Sequence, residues 1–272
     1  MKYSNMTLSY MRHNFLRTMG ATFIPTLLLG IFLNPFNVIE IIVSIGKKED
    51  TYNSFLDIYG KINGYTGILR FSVIIIAILI AIICLSILSG LVRQKMRYGL
   101  DNKGKWSMIG SHLNDNFLPV LKYIILLFVS LEALAMLLST FLYTTIHVIG
   151  NALPMCLILA FVFFLIEIFF VSASLLTVPN MTMKGYGLFK AFGHSIYSLS
   201  AKMFKVFGSI LWVVLVMSVP MIALILFPFK GGNYLLLLCS FLFYWILASY
   251  IGVLVYAVYF DVEELEREDL KL

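Results

Sequence analysis

Apolar runs long enough to cross a bilayer recur along this chain, separated by short basic segments, and that spacing limits the fold more than any motif does. A helix needs roughly 20 apolar residues to cross the hydrocarbon core. Candidate spans fall at about 20–45, 66–92, 118–142, 151–177, 204–228 and 233–259. Of 272 residues, 61% are hydrophobic and only 12% charged, too little polar material to cover a water-soluble globule. Lipid therefore serves as much of the solvent. Backbone groups facing lipid must pair internally, which leaves helices or a closed barrel. Ile74–Leu85 and Leu157–Phe170 lack the alternation of barrel strands. The expected fold is all-α: one integral membrane domain over 1–272 with six transmembrane helices.

The net charge of +6 would suggest nucleic acid in a soluble chain, but here the positives cluster at span ends, where they set orientation. Lys2, Arg12 and Arg17 precede the first span. Arg93, Lys95, Arg97, Lys103 and Lys105 lie between the second and third, and Lys184, Lys190, Lys202 and Lys205 between the fourth and fifth. On the other side, Lys47, Lys48, Lys61, Arg70 and Lys230 include members mixed with Glu49, Asp50 and Asp57. This asymmetry predicts a multi-pass protein of the cell membrane with both termini cytoplasmic. No small-residue cleavage site follows a compact apolar core near the start, so a removed signal peptide is not expected. Cys84, Cys156 and Cys239 sit singly in apolar runs, as packing residues do.

Two long inner connections each end in an amphipathic pattern. Trp106, Ile109, Leu113, Phe117 and Val120 recur at helical spacing, with Lys105, Ser111, His112 and Asn114 elsewhere on the wheel. Leu188, Phe192, Ile196, Leu199, Met203 and Phe207 form a second stripe opposite Lys190, His194, Lys202 and Lys205. Leu8, Met11, Phe15 and Met19 form a shorter one opposite Ser9, Arg12 and His13. Such helices lie in the membrane interface with their bases toward lipid headgroups. The chain then reads as three repeats, about 5–92, 93–177 and 178–262, each an amphipathic interfacial helix followed by a transmembrane hairpin. Weak internal repetition is a feature of transport folds, and equally of a duplicated scaffold.

The third repeat carries a resemblance. Val178-Pro179, Gly185-Tyr186-Gly187, Ala191, Ser195, Phe204 and Phe207-Gly208, with the closing stretch from Val255 to Asp261, resemble a bacterial membrane family. It groups uncharacterised six-helix proteins with the membrane domain attached to some glycerophosphodiester phosphodiesterases. The resemblance implies a six-helix fold and little about function, because the phosphodiesterase chemistry belongs to a separate soluble domain. Each motif residue also has an architectural reading. Pro179 would end the fourth span, Gly185 and Gly187 break the chain, and Ala191 and Ser195 permit close packing.

Glu132 and Glu167 are the candidate ion or substrate site. Both lie deep in predicted spans, and an antiparallel hairpin would place them within a turn or two of the same depth. A charged carboxylate at mid-bilayer costs about 2.5 kcal/mol or more, so each must face the protein or a wet cavity. The competing reading is a pair of neutral carboxyls bonded to a nearby serine or backbone carbonyl. Asn34-Pro35-Phe36-Asn37 interrupts the first span, and the stretch beyond, with Glu40, is expected to lie along the outer surface with Phe55–Ile62. Ser86 and Gly90 offer a close-approach face, and Trp245 needs an internal partner for its indole N–H. The acidic tail from Asp261 to Asp269 reads as a solvated helix end or a docking segment for a basic partner.

The histidines form no metal constellation and no phosphate loop is present, so the chain is expected to be non-enzymatic, without cofactor or metal. The favoured function is the membrane subunit of a transport or export assembly energised by a separate ATPase. The alternative is a membrane scaffold or lipid-organising protein whose interfacial helices hold anionic lipid. In the latter, Arg12, Arg17, Lys105, Lys190, Lys202 and Lys205 touch headgroups or a partner. Expected partners are the lipid bilayer and either a cytoplasmic ATPase or another membrane subunit, with no nucleic acid.

Overall fold

Six helical segments are long and apolar enough to cross a membrane: Phe15–Lys47, Ser72–Tyr98, Ile109–Val148, Leu153–Lys184, Met203–Leu226 and Gly232–Val262. The structure, a computed structural model, describes residues 2–47, 52–64, 68–99, 106–149, 152–227 and 232–270. It is 89% helical, with no strand among the described residues. The chain forms α1 (Lys2–His13), α2 (Phe15–Phe32), α3 (Asn37–Lys47), α4 (Phe55–Asn63), α5 (Ile68–Tyr98) and α6 (Trp106–Val148). There follow α7 (Leu153–Ser174), α8 (Thr177–Lys184), α9 (Leu188–Leu199), α10 (Met203–Leu226) and α11 (Gly232–Val262).

The main core gathers α1, α2, α5, α10 and α11 around the fully buried Tyr250, Val253, Leu254, Tyr256 and Ala257. A second cluster joins α3 and α4 to the α6–α7 hairpin through Ile41, Ile42, Ile58, Leu138, Leu142 and Cys156. A third sits where α5 and α6 meet α8 and α9, around Ile82, Val120, Met181 and Ala191. Helices in lipid gain little from hydrophobicity alone, so close approach and hydroxyl bonds join them. Gly30 of α2 faces the backbone of α11 so closely that an added Cβ would lie 2.4 Å from the Phe241 Cα. Along the same seam Thr22 and Ser249 share a hydrogen bond of 2.6 Å, and the Trp245 indole donates to the Met19 carbonyl at 2.7 Å. That bond supplies the internal partner expected for Trp245.

The break in the first span falls where Asn34 and Pro35 predict it: the Asn34 side chain accepts the Phe36 N–H at 3.0 Å, and α3 starts anew at Asn37. Other boundaries differ from the sequence reading. The fourth long helix breaks at Leu175-Leu176, before Pro179, which lies in the first turn of α8, where a proline costs no helical bond. Gly185 closes α8 at φ +66°, a left-handed conformation that favours glycine. The surface stripe from Trp106 to Val120 is continuous with the third span in one 43-residue helix, α6, despite Pro119 inside it. The proline removes a single backbone bond, and the helix runs on through it. His112 is turned inward rather than toward headgroups, its ring lying over Gly90 of α5, where an added Cβ would sit 2.5 Å from the ring.

Candidate functional site

The two termini meet on one face of the bundle, and α3 and α4 cap the opposite, distal face. On the distal face Ser54 and Asp57 form a capping box that starts α4, and Asn37 holds its far end by donating to the Ile62 carbonyl at 3.0 Å. So fixed, α4 presents Tyr59 and Asn63 to span three. The Tyr59 hydroxyl donates to Glu132 Oε2 at 2.5 Å, and the Asn63 amide donates to the same oxygen at 3.3 Å. Burial first, and then the Glu132 carboxylate, push the Tyr59 phenol up to about 12. Glu40 is anchored in the same cap, accepting from Asn34 at 2.5 Å with the charge of Lys61 nearby. Lys61 in turn donates to Tyr52, which shares a 2.9 Å bond with Ser44.

Glu167 is placed differently. Two contacts set the α6–α7 register: Tyr123 bonds to Ser174 at 3.1 Å, and the rings of Phe141 and Phe163 lie 6.0 Å apart. Between them they put the level of Glu132 opposite residues 165 to 172, so Glu167 lies within about one turn of the same depth. The two carboxyls nevertheless have separate surroundings. Glu132 is held from outside by α4, whereas Glu167, half-buried on the helix stripe that carries Phe163 and Ser174, has no hydrogen-bond partner among the described residues. The serines expected to serve these glutamates bond elsewhere: Ser139 and Ser172 donate to backbone carbonyls of their own helices. The sequence did not reveal that Tyr59 and Asn63 are the partners. They lie 73 and 69 residues away, on a helix whose docking is a tertiary event.

On the face with the termini, the basic residues divide. Arg12, Lys190 and Lys205 are exposed, Lys190 lying 4.4 Å from the centre of the Tyr186 ring. Large apolar side chains stand exposed beside them: Leu16 at 84%, Phe189 at 82% and Phe204 at 82%. Lys202 is turned inward and donates to the Asp261 carboxylate at 3.0 Å and to its carbonyl at 2.8 Å. Arg17 lines a cleft between α2 and α5. Lys105 lies outside the described residues.

Asp261 was read as the start of a solvated helix end or of a docking segment for a basic partner, and the structure makes it a hub within the chain. Lys2 pairs with one carboxylate oxygen, and Tyr3 donates to the other at 2.7 Å beside Lys202. Tyr3 is 1% exposed, and its phenol is raised by burial and then by the carboxylate. Lys184 at the end of α8 pairs with Glu263 at 2.7 Å. A usable signal existed: an acid at the end of a long, charge-free, mostly apolar helix must neutralise its charge locally, and lysines occupy the neighbouring helix ends.

The motif segment has an architectural role. Ser195, fully buried on α9, donates to the Ala173 carbonyl at 2.7 Å and accepts the Leu176 N–H at 3.0 Å, satisfying the break between α7 and α8. Ala191, also fully buried, lets α9 approach α8, where Asn180 donates to its carbonyl at 3.2 Å. Among the described residues no three His, Cys, Asp or Glu side chains converge as metal ligands would. No protein family, curated protein or solved structure matches this chain.

Proposed function

We propose that this is a non-enzymatic, multi-pass protein of the cell membrane whose terminal face is cytoplasmic and rests on anionic lipid, and that it acts as a membrane scaffold or lipid-organising protein. One observation carries the reading: exposed bases and exposed large apolar groups alternate along that face, as in Arg12 with Leu16, Phe189 with Lys190 and Phe204 with Lys205. Rings and aliphatic chains enter the acyl boundary while the bases meet headgroups, an arrangement worth about 1 kcal/mol per base near an anionic surface. The three-repeat organisation belongs to this proposal. It is supported by the matching breaks before the first and fifth spans, at Asn14 between α1 and α2 and at Ser200–Lys202 between α9 and α10. Kinship with the six-helix family of the glycerophosphodiester phosphodiesterase membrane domain also rests on the α8–α9 segment.

A second reading is the membrane subunit of a transport or export assembly driven by a separate ATPase. It is favoured by Glu167, a carboxyl deep in a span with no partner among the described residues and level with Glu132. Purification from mild detergent separates the two. Recovery alone with anionic phospholipid supports the scaffold, and a stoichiometric ATPase supports transport.

A further inference from the structure

The chain turns back on itself beyond α11. The Glu263 N–H still donates to the Tyr259 carbonyl at 3.0 Å, and the Leu265 N–H then reaches back to the Phe260 carbonyl at 2.9 Å. Such a closure needs a left-handed residue just past the helix, where glycine is usual. Here Glu264 takes that conformation at φ +54°, alone among the described non-glycine residues. The reversed segment forms a short 3-10 turn, Glu268–Leu270, packed against α5. Beside it Arg267 grips Asp269 through two bonds of 3.1 and 2.6 Å, with both side chains only 6% exposed. The tail is therefore docked, and its hinge residue is a strained one.

The charge of this segment is opposite to that of the face it lies on. Residues 261–270 carry six acids, Asp261, Glu263, Glu264, Glu266, Glu268 and Asp269, against the single base Arg267, a net charge of −5. Glu263 holds Lys184, and Glu263 and Arg97 both lie near enough to act on the Tyr259 hydroxyl. Glu266 and Glu268 are engaged as well. The last turn of α5, the helix against which the tail packs, carries Lys95 and Arg97. A negative segment seated among bases and an anionic membrane compete for the same charges.

We propose that residues 263–270 are an electrostatic strap, an internal stand-in for anionic lipid that covers Lys184 and the basic end of α5 and detaches when anionic headgroups take its place. This rests on the reading of the terminal face as lipid-binding and gives that face its regulation. Glu264 sets the balance. A glycine there would hold the strap more firmly, whereas the left-handed glutamate keeps docking weak enough for lipid to displace it.

Hydrogen exchange of the full chain, read by mass spectrometry on the Leu265 and Leu270 amides, tests it. The chain is placed in bilayer discs of phosphatidylcholine, and in discs of equal phosphatidylcholine and phosphatidylglycerol. Both amides are hydrogen-bonded in the docked tail, at 2.9 and 3.3 Å. In wild type they should exchange about fivefold faster in the anionic discs, the advantage of about one base at an anionic surface. Lys184→Gln should speed exchange about two- to fivefold in phosphatidylcholine. Glu264→Gly should slow it about two- to fivefold in both lipids. The wild-type comparison depends on no variant folding. Equal exchange in the two discs, slower exchange in the anionic ones, or no slowing by Glu264→Gly overturns the strap. Native mass spectrometry of retained lipid keeps the two readings apart. A wild type that retains phosphatidylglycerol over phosphatidylcholine while its tail ignores lipid sinks the strap alone. Absence of that preference sinks the general reading and the strap that rests on it.

Discussion

Replacing Gly30 by alanine tests whether the α2–α11 seam depends on backbone proximity. The new methyl would lie 2.4 Å from the Phe241 Cα and 2.6 Å from its nitrogen, against an ordinary contact of 3.4–4 Å. No side chain can rotate out of the way, since the obstacle is main chain, so the two helices must part by about 1 Å at this level. Overpacking of this kind costs about 1–3 kcal/mol. The upper half of that range is expected, because the shift also strains the 2.6 Å Thr22–Ser249 bond and the 2.7 Å Trp245–Met19 bond. Alanine returns up to about 1 kcal/mol of helix propensity, for a net loss of about 1–2 kcal/mol. Thermal unfolding in detergent, followed by tryptophan fluorescence, should show the midpoint falling by roughly 2–8 °C. Gly20→Ala on the same helix is the control, since nothing lies within 4 Å of its Cβ position and its midpoint should hold or rise. Equal midpoints for the two variants would refute the reasoning.

Asp261→Asn should lower stability by about 1–2 kcal/mol, read as a lower unfolding midpoint, because Tyr3 and Lys202 lose a charged acceptor. Lys2→Ala should do much less, its side chain being 58% exposed. Ser195→Ala should cost about 1–3 kcal/mol, since it orphans the buried Leu176 N–H; thermal melts of the purified variant check this. Burial and the Glu132 carboxylate hold the Tyr59 phenol up at about 12 in the folded chain, above the ordinary phenol value of about 10. Its stabilising contribution is complete below about pH 10 and is lost as the pH rises toward 12, since the unfolded chain gives up the proton first. Alkaline unfolding curves should show this fall in wild type and a shallower one in Tyr59→Phe.

Periodicity and composition were enough to locate the six long helices, because crossing a bilayer demands an unbroken apolar run and allows few alternatives. The interruption at Asn34-Pro35 was equally visible, since proline and an Asx side chain act locally. What escaped was pairing over distance. Glu132 was singled out for its depth, yet its partners come from a short distal helix that no local pattern ties to span three. His112 was placed off the apolar stripe of its surface helix, but the missing Cβ at Gly90 admits its ring to the α5–α6 seam. Asp261 looked solvated because the sequence after it is charged, while its neutralising groups arrive from α1 and the start of α10.

The seam between α2 and α11 bears on how the molecule is made. Thr22 and Ser249 are 227 residues apart, and at about 5–20 residues per second the ribosome needs roughly 10–45 s to deliver the second after the first. Throughout that interval the earliest span sits in the membrane without its largest neighbour, showing a strip of hydroxyls to oil. Thr18, Thr22 and Thr26 bond back to the Asn14, Thr18 and Thr22 carbonyls of their own chain, so the strip arrives already satisfied. Threonine at these places lets the newborn helix wait without a partner, its hydroxyls already bonded, and still offer an oxygen when Ser249 arrives.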